Sequence, residues 1–325
     1  MMTINELLNN PSLVLLLITI GIGIIEWLIP FPFFIRPRLV IPYFSMLGDR
    51  VNKPTNSDKQ KKISSILMTL IVVIPVITLY FAVKEIINDK EGIYIGALTL
   101  IFILESRPYR SLINTVYKKL NNDKNEVKDI LNKFCLRETS KLSPMGLIKA
   151  TIECTSLRVF NSFYVPLFYA LIFNIECALI IKCLILLSEA FNFKLFKNAV
   201  FGRLNASIAN AIYILPSFAL IIFMMIIPFK NKNKTEIIRS LNTYVREWPN
   251  KSSGLFLAYM AGMLNIRLGG PRYYEGVVHR YPHLGGQNEP ELNDLKRAKN
   301  VISLAIWVSI LTIVAIKALF IIWLG

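Results

Sequence analysis

Val301 to Leu324 reads VISLAIWVSILTIVAIKALFIIWL, an apolar run broken by a single cation, Lys317. A run of this length exceeds the about 20 residues that an α-helix needs to cross a hydrocarbon core, and Lys317 is near enough to its end to snorkel to the interface. Upstream, five further blocks have the same character: Ser12 to Leu28, Ile63 to Val83, Gly92 to Leu104, Phe160 to Leu187 and Ser207 to Phe229. Mean hydropathy is +0.49 and 54% of the residues are hydrophobic, gathered in blocks rather than alternating. That pattern excludes an ordinary soluble domain. The expected fold is all-α: a polytopic helical integral membrane protein with about six spans, residues 1–325 forming a single membrane domain. The third block is short, so it borrows Val83 to Asp89 or lies partly buried in protein. The fourth is long enough to be tilted or broken.

The charge supports the same class. A net charge of +16 would suit nucleic acid in a soluble chain, but here the placement of the cations decides its meaning. Of 37 Lys and Arg, 7 lie in Arg36 to Lys62, 11 in Arg107 to Arg158 and 12 in Lys230 to Lys299. With six spans these three loops share one side, which the positive-inside rule makes cytoplasmic. Residues 105–159 and 230–300 are therefore expected as cytoplasmic loop regions, with the Lys194 to Arg203 loop and both termini on the other side. The localisation that follows is the cell (inner or cytoplasmic) membrane, multi-pass, with lipid as a partner, no nucleic acid, and homo-oligomer formation left open. The first span lacks a basic flank and is read as retained rather than cleaved. Phe31, Phe33, Phe34 and Tyr43 suit an interfacial belt. Leu112 to Cys135 spaces its apolar residues as one or two amphipathic cytoplasmic helices. The four Cys form no C-x-x-C pair, so neither disulfides nor structural zinc are expected.

Chemistry concentrates in Lys251 to Gly285, KSSGLFLAYMAGMLNIRLGGPRYYEGVVHRYPHLG. Gly254 to Leu264 has helical spacing with small residues at Ala258, Ala261 and Gly262. Arg267-Leu268-Gly269-Gly270-Pro271 then breaks it, because paired glycines permit positive φ and proline fixes the exit. Amides in such a turn can cradle an anion, and Arg267 and Arg272 flank it with donors suited to phosphate. A plain helix C-cap and turn is the other reading of an isolated LGGP. His279 and His283 read as loop residues rather than a metal pair, since Pro282 lies between them. Lys182 in the fourth block is expected to pair inside the bundle with Glu176, because an intramembrane cation needs a partner. These two charges alone give little support to a transporter. No Walker A, Rossmann, G-x-S-x-G or H-E-x-x-H pattern occurs.

Ala261-Gly262-Met263-Leu264-Asn265-Ile266-Arg267-Leu268-Gly269-Gly270-Pro271, with Trp248-Pro249, Tyr274 and Leu284-Gly285, resembles the C-terminal signature of the adenosylcobinamide-phosphate synthase family of cobalamin biosynthesis. Arg137-Glu138-Thr139, Ala150-Thr151-Ile152-Glu153 and Pro166-Leu167-Phe168-Tyr169 resemble its R-D-T, A-T-V-E and P-L-F-Y elements. The resemblance covers about Arg137 to Gly285. It implies an ATP- and Mg²⁺-dependent ligase that joins adenosylcobyric acid, a corrinoid, to a phosphorylated amino alcohol through an amide. It departs where the family carries acids: E-N-x-x-D falls on Leu157 to Asn161, and R-L-D-D on Arg203 to Ala206. Glu138, Glu153 and Glu189 remain as candidate catalytic carboxylates. Arg137, Arg203, Arg267, Gly269, Gly270, Arg272 and Tyr274 are the candidate substrate- and phosphate-binding residues, and no metal ligand set is assigned. A catalytically degenerate relative with a regulatory or binding role, like the β-lactamase-regulation inner-membrane proteins, stays open beside the enzyme.

Overall fold

The computed structural model describes residues 11–29, 36–86, 89–226, 234–248 and 254–324, and almost all of its regular structure is helical. In chain order the helices are α1 (Pro11–Leu28), α2 (Ile41–Val51), α3 (Asp58–Ile86), α4 (Asp89–Ile103), α5 (Arg107–Lys119), α6 (Lys124–Asn132) and α7 (Pro144–Val159). A π-turn, Phe160–Tyr164, joins α7 to α8 (Val165–Ile172). There follow α9 (Ile175–Ala190), α10 (Arg203–Ile226), α11 (Lys234–Glu247), α12 (Gly254–Leu264) and α13 (Leu292–Leu324). Three of these, α3, α10 and α13, are long and apolar enough to cross a membrane. The aromatic belt read at Phe31, Phe33 and Phe34 lies outside the described residues, whereas Tyr43 is exposed on α2.

Between α12 and α13 the chain makes two small antiparallel ladders that the sequence had suggested only as a turn. Strand β1 (Arg267–Gly269) pairs with β4 (His283–Gly285), and β2 (Arg272–Tyr274) pairs with β3 (Val277–His279). Gly269 and Gly270 take φ of +76° and +83°, the left-handed values that the paired glycines permit. His279 and His283 fall on different ladders.

The fourth apolar block is not one span. It divides at Phe173 and Asn174 into the antiparallel neighbours α8 and α9, with the Asn174 side chain accepting the Cys177 N–H at 2.7 Å as the cap of α9. This extra reversal carries the 191–202 loop to the end of the molecule opposite to that expected. Lys197 is 2.9 Å from Asp49, the Asn52 side chain donates to the Lys197 carbonyl at 2.8 Å, and the Phe196 N–H donates to Glu275 at 2.6 Å. Those partners belong to two of the basic loop regions, so Lys194, Lys197 and Arg203 add to the basic end instead of marking the other side.

The expected Glu176–Lys182 pair does not form either. Glu176 lies in the first turn of α9 and meets Lys84 of α3 at 2.6 Å. Lys182, fully buried two turns on, donates to the Ser162 carbonyl at 3.1 Å. The same carbonyl accepts the Glu105 N–H at 3.1 Å, so the π-turn leaves it to two partners from other segments.

Aromatic and aliphatic contacts fasten the bundle around α7 and α8. Phe160 stacks on Phe256 of α12 at 5.2 Å, and Trp27 of α1 lies 5.1 Å from Phe163 and 5.5 Å from Trp307 of α13. The short third block, α4, buries Leu100 and Ile103 completely within the protein. Helices α5 and α6 bury Leu112, Val116, Val127 and Leu131 and leave their lysines outside. Helices α11 and α12 lie so close that a Cβ on Gly262 would come within 2.4 Å of the Ile237 Cα.

Candidate functional site

At the basic end, α7 presents one stripe to a cavity of about 240 Å³: Ala150, Glu153, Cys154, Leu157 and Arg158, continued by Asn161 of the π-turn. These positions recur every three or four residues, so they share one face of the helix. The opposite walls come from Ser188 and Glu189 at the end of α9, Lys194 beyond it, Ala206, Asn210 and Tyr213 of α10, and Arg272 and Tyr274 of β2. Trp248 and Tyr281 close one side with ring centroids 5.0 Å apart. The Arg272 guanidinium lies over both, 5.0 Å from the Tyr281 ring centroid and 5.8 Å from that of Trp248.

Glu153 is the pivot of the site. One of its oxygens, Oε1, accepts the Gly269 N–H at 2.7 Å; the other, Oε2, lies 2.9 Å from Arg137 and 3.1 Å from Arg272. Burial alone would push this carboxyl up, but Arg272 and Arg137 reverse the effect and hold it below the usual carboxylate value. It is therefore an anion, with only 4% of its side chain exposed. A second pair, Arg158 to Glu189 at 2.5 Å, spans from α7 to α9.

The two guanidiniums beside Glu153 sit at ion-pair distance but off the hydrogen-bond line. Arg137 Nη2 and Arg272 Nε and Nη2 are buried without a hydrogen-bond partner, as are the acceptors Asn161 Oδ1 and Glu153 Oε2. Orphaned buried donors are rare because each carries its full desolvation cost, and several around one cavity indicate groups that a ligand completes. Lys194 adds a fourth cation, its Nζ 3.3 Å from the Tyr274 hydroxyl. Burial pushes that hydroxyl up, but Lys194 and Arg272 outweigh burial and hold it below the ordinary phenol value.

Of the residues singled out from the sequence, Glu153, Glu189, Arg137, Arg272 and Tyr274 line this cavity together. The others lie around it or away from it. The Gly269 amide caps Glu153, and the Gly270 amide donates to the Pro282 carbonyl at 3.0 Å, so the turn's amides are already engaged within the protein. Glu138 accepts the Gly276 N–H at 2.5 Å and steadies the β2–β3 hairpin. Arg203 donates to the Ala199 carbonyl at 3.0 Å, and Arg267 pairs with Glu289 at 2.8 Å on the surface. Sequence reasoning missed Arg158, Asn161, Lys194, Trp248 and Tyr281. The helical stripe from Ala150 would have found the first two, whereas Lys194 had been assigned to the other side of the membrane.

Four cations, two of them (Arg137 and Arg272) with N–H groups that lack a hydrogen-bond partner, fit the phosphate of a nucleotide or an amino alcohol. A protein-held Mg²⁺ does not fit. Mg²⁺ takes one or two protein carboxylates beside phosphate oxygens and water, and both cavity carboxylates are already held by arginines.

Residues 23–302 match the family model described as CobD/Cbib protein. The "Probable cobalamin biosynthesis protein CobD" of Methanococcus aeolicus is 27% identical over 74% of this chain and 80% of its own length. The "Cobalamin biosynthesis protein CobD" of Leptospira interrogans is 27% identical over 80% of this chain and 83% of its own. That of Clostridium perfringens is 23% identical over 72% and 75%. No solved structure matches significantly.

Proposed function

The chain belongs to the CobD/Cbib protein family, and from that premise we propose that it forms an amide between a corrinoid carboxylate and a phosphorylated amino alcohol, the basic-end cavity seating the amino alcohol. The observation that carries this reading is the set of buried guanidinium donors without partners, Arg137 Nη2 and Arg272 Nε and Nη2, beside one cavity. Guanidinium forks match phosphate oxygens in geometry and charge. Asn161 Oδ1, a buried acceptor in the same cavity, suits the amine end of the ligand.

Size divides the substrates. At about 240 Å³ the cavity is smaller than the about 300–1,000 Å³ of pockets that hold drug-sized ligands. It takes a small zwitterion, while the corrinoid presents only its reacting carboxylate from outside. Leu157, Asn161 and Ala206, onto which family acidic positions fall, all line the same cavity, which supports placing the reaction there.

In this reading the residues bind, orient and move one proton. Arg137, Arg272 and Lys194 fix the phosphate, which holds the amine at one position and lowers the entropic cost of meeting the carboxylate. ATP supplies the phosphoryl group that activates that carboxylate. The amine must shed a proton before it attacks the acyl phosphate and expels inorganic phosphate, and Tyr274, in the phenolate form that Lys194 and Arg272 favour, is the cavity group we assign to accept it. Growth of a synthase-deficient strain on cobyric acid, with this chain as the only synthase, tests the proposal. Growth with the wild type and its loss with Arg272→Gln are expected; no growth with a well-expressed, membrane-inserted wild type would refute the activity.

A further inference from the structure

Resting on that reading of the cavity, we infer that its phosphate seat works with side-chain cations alone, with no divalent metal ion bridging the phosphate to the protein. Mg²⁺ completes six oxygen ligands largely with water and substrate phosphate, and the protein's share is one or two carboxylate oxygens with free lone pairs. The cavity has two carboxylates, and both are ion-paired with arginines. Glu189 is held by Arg158 at 2.5 Å. Glu153 uses one oxygen for the Gly269 amide and lodges the other between Arg137 and Arg272. Glu138, the remaining acidic candidate, is bonded to the Gly276 amide and does not line the cavity.

Charge points the same way. Arg137, Arg158, Arg272 and Lys194 face Glu153 and Glu189, an excess of two positive charges on the walls. A divalent cation entering there would be repelled by four neighbours, whereas a phosphate dianion would neutralise the excess. Three of the orphaned groups are guanidinium donors, which a phosphate satisfies and a metal ion does not; of the two orphaned acceptors, Asn161 Oδ1 is a neutral amide oxygen and Glu153 Oε2 is lodged between the guanidiniums of Arg137 and Arg272. Arg158 also stands within the stretch onto which the family's E-N-x-x-D motif falls, so a cation now occupies a wall that the motif would make acidic.

The test uses the full chain purified in detergent, with O-phosphoethanolamine as the probe and calorimetric titration as the readout, in EDTA and again with Mg²⁺ in excess. The same affinity in both buffers is expected. A loss of about tenfold or more in EDTA would overturn the inference while leaving the phosphate reading intact; no binding in either buffer would overturn both. Arg272→Lys keeps the charge but removes the fork, and about tenfold weaker binding is expected in either buffer. Lys194→Gln, on a loop rather than in the packed core, keeps the test informative should Arg272→Lys fail to fold; it too is expected to weaken binding. Unchanged affinity in Lys194→Gln and in a folded Arg272→Lys would refute the cationic seat. Arg267→Gln, outside the cavity, should bind as the wild type does.

Discussion

Replacing Glu153 by Gln removes a charge and almost no volume, so it isolates the electrostatic part of the site. The amide oxygen can still accept the Gly269 N–H, but Arg137 and Arg272 lose the anion at 2.9 and 3.1 Å. Their side chains are only 10% and 7% exposed, so solvent replaces the missing partner poorly. Breaking a buried pair in this way costs about 3–5 kcal/mol, mostly the penalty of stranded charge. Arg267–Glu289 is the matched control: the same kind of pair at 2.8 Å, with 38% and 42% of the side chains exposed. There the expected loss for Glu289→Gln is under about 1 kcal/mol, because solvent screens the pair. Both variants are to be unfolded by denaturant in detergent micelles and followed by circular dichroism. Comparable losses for the two would refute the claim that burial, not distance, sets the worth of these pairs. Glu153 has a folded-state pKa below its unfolded value, so its contribution is full above that unfolded value, about 4.3, and is lost as the pH falls through the folded value. The wild type and Glu153→Gln should therefore converge in acid and diverge at neutral pH.

Three further outcomes are expected. Gly262→Ala should destabilise the chain by about 1–3 kcal/mol in the same titration, since the new methyl meets α11 backbone at 2.4 Å and the two helices must separate; a neutral result would mean that they pack less tightly than described. Glu176→Gln and Lys182→Met should be additive within about 0.5 kcal/mol in a double-mutant cycle, because Glu176 bonds Lys84 while Lys182 bonds Ser162, and a larger coupling would restore a direct pair. In a background without its four native cysteines, Phe196→Cys and Asp49→Cys should react with an impermeant maleimide from the same side of the membrane, and labelling from opposite sides would disprove the shared basic end.

Much of the helical architecture was legible because an apolar block of about 20 residues has few alternatives to a helix in a lipid setting. The division of Phe160 to Leu187 was not. Neither Gly nor Pro marks the reversal at Phe173 and Asn174, and the one local signal, an N-capping Asn ahead of Glu176, is short and sits in an apolar run. From that single missed turn followed the misplacement of the 191–202 loop, and with it the omission of Lys194 from the site. The positive φ at Gly269 and Gly270 was readable, because only glycine takes those values without strain; the destination of their amides was not, since Glu153 lies 116 residues away along the chain. Arg137, Glu153 and Arg272 could be nominated singly, but their convergence depends on how α7 meets β2.

The π-turn at Phe160–Tyr164 has a consequence for how the chain tolerates changes of length. One extra residue in a helical turn advances everything beyond it by about 100° relative to an uninterrupted α-helix. Before the turn and at its start, Glu153, Leu157 and Asn161 look into the cavity; at its end and beyond, Tyr164 meets Ser309, Tyr169 meets the Ile212 carbonyl, and the Leu171 carbonyl receives Lys317. The two halves are thus out of phase by one residue, and each is locked to different neighbours. Deleting a single residue here would restore a regular helix and swing either the polar stripe off the cavity or the tyrosines off α10 and α13. Insertions in the exposed loop around Asn56 disturb no such phase, so the chain is expected to accept several added residues there and not to accept the loss of one at Phe163.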